Sequence, residues 1–213
     1  MFNLIHCAEI FIKEQLSQDF SDGHDYFHTC RVVKHALELC SQIPEADRNI
    51  VHLAALLHDV ARPLESAACG KVDHAEAGAK IALDFLRQYQ CPANIAEAVA
   101  ACIAQHRFRS GNRPTSIEAK ILFDADKLDS LGAIGIARSF FFAAKVGAKL
   151  HNTQEEALNN PAYSIEDTAY REYLVKLAKL PEKMLTIQGK KLANELKIFM
   201  DSFFDQLNKE FFQ

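Results

Sequence analysis

The chain has 213 residues, of which 8 are glycine and 6 proline, together 14 residues or about 7%, against a usual share of roughly 12%. So few turn residues cannot punctuate a sandwich or barrel of short strands, which needs a turn about every 8–12 positions. A formal charge of −4, from 24 basic and 28 acidic residues, excludes the basic footprint of a protein that tracks long nucleic acid.

With 49% apolar residues recurring at three- and four-residue spacing, the pattern is that of an all-α chain. The first helix is expected over 2–17, with Phe2, Ile5, Ile12 and Leu16 among its apolar positions. It keeps helical periodicity and lacks a basic n-region, so it does not read as a signal peptide. A break at 20–23 precedes a second helix from about Asp25 to Gln42. The third runs from Pro44 to about Ala61 and is stopped by Pro63, with a loop over 62–72. Further helices are expected over 73–90, 92–106, 116–125 and 130–150, the last carrying Phe140, Phe141 and Phe142. The polar stretch 151–164 is a lid or connector, and two more helices flank Pro181 over 165–212. No apolar run reaches the roughly 18 residues of a membrane span. Six cysteines sit singly with no CxxC pair, which suits a reducing, cytoplasmic setting. A single domain over 1–213 is the simplest organisation.

Nine histidines are the feature to sort. His58-Asp59 falls in the last turn of the helix carrying Leu53, Leu56 and Leu57. An imidazole–carboxylate doublet inside an apolar helix is costly unless paired or metal-bound, and a buried His–Asp hydrogen bond is the plain alternative. Upstream, His28, Arg31, Val32 and His35 share one helix face by their i, i+3, i+4, i+7 spacing. Downstream, Asp124, Asp126 and Asp129 follow an apolar segment. His28, His58, Asp59 and Asp126 would make a two-imidazole, two-carboxylate shell suited to a divalent first-row metal. Arg31, one turn after His28, would point its planar fork into the same cleft, where phosphate oxygens fit. Lys127 could act there as a point charge or pair with Asp124 or Asp129 instead, and Arg62 is a further phosphate candidate. Glu65 and Glu76 are nearby carboxylates that could serve as a base. Arg107 and Arg109 could form a basic rim. His35 packs or caps within its helix, and His6, His24, His52 and His151 read as residues without a partner.

The order His28, His58-Asp59, Asp126 resembles the HD-domain superfamily of metal-dependent phosphohydrolases. The similarity is closer to a bacterial branch of that superfamily, through Gly23-His24-Asp25, His28, Arg31-Val32, Leu57-His58-Asp59, His74, Ile103, His106, and Asp124-Ala125-Asp126-Lys127-Leu128-Asp129 with Gly132, Gly135 and Arg138. The resemblance covers about 23–138, with 151–213 as a C-terminal helical extension. It implies an all-helical bundle holding a divalent ion (Mn²⁺, Mg²⁺, Co²⁺, Ni²⁺ or Fe²⁺), with His28, His58, Asp59 and Asp126 as ligands. His74 and His106 would face the substrate beside one ion, or would help bind a second. The expected activity is hydrolysis of a phosphoester or phosphoanhydride in a small phosphorylated metabolite, foremost a nucleotide. Nucleoside triphosphate pyrophosphohydrolase and nucleotidase are the two forms considered. A di-iron oxygenase on the same scaffold and a non-catalytic nucleotide sensor are the alternatives. Neither long nucleic acid nor a membrane is expected as a partner, and a homodimer is an allowed assembly.

Overall fold

The computed structural model describes residues 1–16, 25–107 and 112–212, and among these every regular element is helical. Gly23, His24 and Arg109, singled out in the sequence, lie outside the described residues. The chain divides into two compact units, Met1–Asp126 and Lys127–Gln213.

The first unit is built around α3 (Arg48–Leu57). Its residues Val51 and Leu53 to Leu57 are all buried, the signature of a helix enclosed on every side rather than of an amphipathic surface helix. Against it pack α1 (Phe2–Gln15), α2 (Tyr26–Ser41) and α6 (Ala93–Gln105), and α5 (His74–Gln88) packs on α6. The remaining elements are α4 (Arg62–Ala67) and α7 (Ile117–Leu128), which runs across the boundary between the units.

Several boundaries differ from the sequence reading. The third helix starts at Arg48 rather than at Pro44, because the Asp47 carboxylate accepts from the backbone N–H groups of Asn49 and Ile50 at 2.8 and 3.3 Å. A side-chain cap of that kind satisfies donors that a leading proline leaves exposed. The second correction concerns Pro63, which opens α4 instead of merely ending α3. Its missing N–H falls where a helix has no partner for one. The helix closes at Cys69 and Gly70, both at positive φ, through Gly70 N–H donating to the Glu65 carbonyl at 2.9 Å. Residues 62–67 are therefore helix, not loop.

The second unit contains α8 (Gly132–Lys145), α9 (Gln154–Asn159), α10 (Ala169–Val175), one 3₁₀ turn (Leu177–Lys179), α11 (Leu180–Lys183) and α12 (Ile187–Phe212). Here α8 packs on α10 and α12. It stops short of 150 because Gly147, at φ +73°, ends it, with Ala148 N–H donating to the Ala143 carbonyl. The polar stretch 151–164 is fastened as a connector. A capping box between Thr153 and Glu156 starts α9 inside it. Asn152 donates to the Glu166 carbonyl and carboxylate and accepts from Thr168. His151 is buried against Tyr170 and Phe211, its Nε2 2.8 Å from Asn208 Oδ1.

Gly135 illustrates how tightly the turn into α8 is drawn. A Cβ there would stand 2.2 Å from the Ser130 carbonyl oxygen, a backbone atom that cannot swing aside. Alanine in mid-helix normally gains about 1 kcal/mol over glycine, but overpacking costs about 1–3 kcal/mol or more, so the clash prevails. Gly135→Ala is expected to lower stability by at least ~1 kcal/mol in denaturant unfolding; a more stable variant would show that the turn relaxes freely.

Candidate metal centre

Six chemistry-bearing side chains of the first unit converge, and helix termini place most of them. Asp25 caps α2 by accepting from His28 N–H at 2.8 Å, so His28 lies in the first turn with its ring inward. After Leu57 the bonding shifts to three-residue turns, Val60 N–H to Leu57 O and Arg62 N–H to Asp59 O. His58 and Asp59 therefore sit just past the end of α3 rather than within its last turn. His74 is the first residue of α5, behind the Asp73 cap, and His106 follows the last residue of α6. Asp126 is carried by α7.

Asp59 is the centre. Its Oδ2 lies 3.5 Å from the Nε2 of both His28 and His58. Its Oδ1 lies 3.2 Å from His74 Nε2 and 3.8 Å from His106 Nε2. Each carboxylate oxygen thus faces one pair of imidazoles. Within the pairs the Nε2 atoms are 3.3 Å apart for His28 and His58, and 3.2 Å apart for His74 and His106. Asp126 Oδ1 approaches His28 Nε2 at 3.6 Å. All four histidines and Asp59 are at most 1% exposed, while the Asp126 side chain keeps 15% exposure.

The ring orientations are set from behind. His58 Nδ1 donates to the Ala55 carbonyl at 2.8 Å and His106 Nδ1 to the Ile103 carbonyl at 2.7 Å. His74 Nδ1 donates to Glu65 Oε2 at 2.7 Å. A carbonyl or carboxylate only accepts, so in each case the proton sits on Nδ1 and the Nε2 lone pair points inward. Burial pushes the His58 imidazole below its ordinary pKa although Asp59 pulls the other way. Burial, aided by the nearby His58, takes His106 well below. Neutral imidazoles are the form that ligates metals.

These residues fit a divalent ion. Around an ion with bonds of about 2.1 Å, adjacent donors on an octahedron stand roughly 3.0 Å apart, and on a tetrahedron about 3.4 Å. The separations of 3.2–3.8 Å linking the four histidines, Asp59 and Asp126 are at or somewhat above that range. Two triplets, His28–His58–Asp59 and Asp59–His74–His106, each bring their donor atoms within 4.8 Å of one another. Buried and so close together, these polar atoms would be costly without a cation or protons between them.

The other expected residues divide. Arg62 bridges two carboxylates, Nε to Asp59 Oδ1 and Nη1 to Glu65 Oε2, both at 3.2 Å. Arg107 donates to Glu65 Oε1 at 2.5 Å and so is bound behind the histidines. Burial opposes ionisation of Glu65, but the bonds from Arg107 and His74 outweigh it and hold its pKa below the usual value. Glu76 is exposed on the far side of α5, in a shallow groove with Lys80 and Leu83, away from the cluster. Arg31 is half-buried on α2, one turn beyond His28. Lys127 follows Asp126 on α7 and is half-buried. Sequence reasoning did not foresee the Glu65–Arg107 connection, which spans 42 positions without a local pattern to signal it.

Comparison with known proteins identifies the family. The HD-domain family model matches residues 25–131. YpgQ of Bacillus subtilis, an uncharacterised protein, is 34% identical over 204 residues, covering 92% of this chain and 89% of that one. Its crystal structure in complex with ADP superposes with a TM-score of 0.74 at 28% identity, covering 98% of this chain and 95% of that one. An HD-superfamily hydrolase from Bacillus thuringiensis superposes with a TM-score of 0.74 at 32% identity, covering 97% and 95%. This chain belongs to the HD-domain family. It is an all-α, metal-dependent phosphohydrolase of that family.

Binding to the folded chain alone stabilises it by RT ln(1 + [L]/Kd), about 2.7 kcal/mol at a hundredfold excess over Kd. Mn²⁺ added to metal-stripped protein is therefore expected to raise the unfolding midpoint, and a chelator to reverse the rise. Asp59→Ala, which removes the carboxylate common to both triplets, is expected to abolish the response. A wild-type response in that variant would place the metal elsewhere.

Proposed function

We propose that the protein hydrolyses a phosphoester or phosphoanhydride bond of a nucleotide, with His28, His58, Asp59 and Asp126 holding a divalent ion. The observation that carries this reading is the Asp59 carboxylate, one oxygen turned to each pair of inward-pointing Nε2 atoms. The same observation favours a second seat formed by Asp59, His74 and His106, so two ions are the fuller reading. When bound, a divalent ion polarises a phosphoryl oxygen and makes a water nucleophilic near neutral pH. The ADP complex of the Bacillus subtilis relative supports a nucleotide over other phosphorylated metabolites.

The chain's own residues supply position. His58 presents its Nε2 lone pair because its Nδ1 donates to the Ala55 carbonyl, so little reorganisation accompanies ligation, and His28 stands opposite it in the first turn of α2. Asp126, with its partial exposure, marks the side from which a substrate enters. Arg31 is the residue we assign to the phosphate, where a guanidinium fork matches two oxygens and neutralises charge. Lys127 adds a point charge beside Asp126 in the chain. Arg62, engaged by Asp59 and Glu65, acts as a brace for those carboxylates.

The test is product analysis after incubation with nucleoside mono-, di- and triphosphates in Mn²⁺, Mg²⁺, Co²⁺ or Ni²⁺. Release of pyrophosphate identifies a triphosphate pyrophosphohydrolase, and release of phosphate from monophosphates a nucleotidase. Binding without turnover under every metal would overturn the enzymatic reading in favour of a sensor. Bound iron with a visible absorption band and no phosphate release would favour the oxygenase. Arg31→Ala is expected to raise KM roughly tenfold or more, the scale of a lost charged hydrogen bond, while bound metal stays unchanged. Loss of metal in that variant would make Arg31 a structural brace.

A further inference from the structure

Three histidines of the cluster are oriented through Nδ1, but not by the same means. His58 and His106 stand just past the C-terminal ends of α3 and α6, and each donates to a carbonyl three residues back, Ala55 and Ile103. The last four carbonyls of a helix have no intrahelical partner, so such a histidine finds an acceptor in its own helix. His74 is the first residue of α5. The unfilled groups at that end are N–H donors, and no helical carbonyl lies behind it. The self-supplied acceptor is impossible there.

The geometry points to Glu65 as the positioning residue that replaces this missing carbonyl, fixing the His74 tautomer and so the second metal seat. Glu65 Oε2 receives His74 Nδ1 at 2.7 Å. Glu65 is itself held on two sides, by Arg62 from one turn back and by Arg107 from beyond α6. Arg107 Nη1 also comes within 3.0 Å of His74 Nδ1. Two donors cannot satisfy each other, and the carboxylate between them resolves the approach by accepting from both. The short helix α4 serves to deliver Glu65: Pro63 opens it, and the Gly70 N–H closes it on the carbonyl of Glu65 itself. This inference rests on His74 as a metal ligand, as proposed above. The tautomer it predicts, however, is a property of the metal-free protein.

Full-length, metal-stripped protein labelled with ¹⁵N-histidine tests it, with the His74 signals identified by their loss in His74→Gln. In the wild type, His74 is expected to be protonated on Nδ1. Glu65→Ala should release that tautomer and weaken the second of two Mn²⁺ binding steps about 10–100-fold, the usual cost of removing such an outer partner. Glu65→Gln keeps an acceptor oxygen without the charge and should restore the tautomer, with Mn²⁺ affinity within a few-fold of wild type. A Glu65→Ala variant that keeps Nδ1–H on His74 and unchanged Mn²⁺ affinity would overturn the inference. So would a Glu65→Gln variant that behaves like Glu65→Ala, because charge and not acceptance would then be the function. If Glu65→Ala fails to fold by circular dichroism, the Gln variant alone decides by the same signals. Wild-type protein that binds no Mn²⁺ would sink the metal reading, and the tautomer measurement would still stand by itself.

Discussion

One buried carboxylate organises the first unit. Asp59 is almost fully enclosed, yet it lies among four imidazole nitrogens and one guanidinium. A carboxylate in that position is tolerable only with opposing positive charge at hand. Arg62 supplies some of it at one oxygen. His58 and His106 supply none while neutral, and burial favours their neutral form. The cluster is therefore an electron-rich cavity wall, short of positive charge by construction. That shortage makes a divalent cation the natural complement, and it gives phosphohydrolase membership a physical basis.

Charge is arranged in layers around this centre. The inner layer is Asp59, the four histidines and Asp126. Behind His74 lies Glu65, and behind Glu65 lie Arg62 and Arg107. Outward from His74 donor and acceptor alternate, His74 Nδ1 to Glu65 and Glu65 to the two arginines, which fixes each group through a complementary partner. One consequence concerns substrate binding. Two arginines that look available in the sequence, Arg62 and Arg107, are engaged with carboxylates; our proposal gives the phosphate to Arg31 for its place one turn beyond His28.

Much of this was legible in the sequence, and the gaps have physical causes. Apolar spacing is enough to find the main helices, because α2 and α5 each bury one stripe. The proposed ligands can be picked out because His28, His58-Asp59 and Asp126 sit on or at the ends of recognisable helical segments. Spacing alone does not choose among Asp124, Asp126 and Asp129; that choice came from family resemblance, and the structure turns Asp126 toward His28. Helix α4 is hidden from the sequence because a proline after an apolar helix signals an end, while the same residue opens the next helix equally well. Glu65 and Arg107 carry no sequence signal beyond nearness to the histidines. Their pairing is a tertiary contact with no periodicity behind it. His151 read as unpartnered, yet Asn208, 57 positions away, accounts for its Nε2.

The scarcity of glycine and proline takes on a sharper meaning against the site. Pro63, Gly70 and the caps Asp25 and Asp73 govern helix ends, and helix ends are where the metal-facing residues stand. There is a reason beyond convenience. In mid-helix every backbone carbonyl is already used, so a buried histidine there needs a side-chain partner to hold its ring. At a C-terminal end the spare carbonyls do this without recruiting another residue, as for His58 and His106. At the N-terminal end of α5 spare N–H groups cannot, and the chain brings in the Glu65 carboxylate for His74. These three histidines thus impose unequal demands on the fold: two are oriented by the backbone of their own helices, whereas His74 depends on a separate helix, a glycine closure and two arginines.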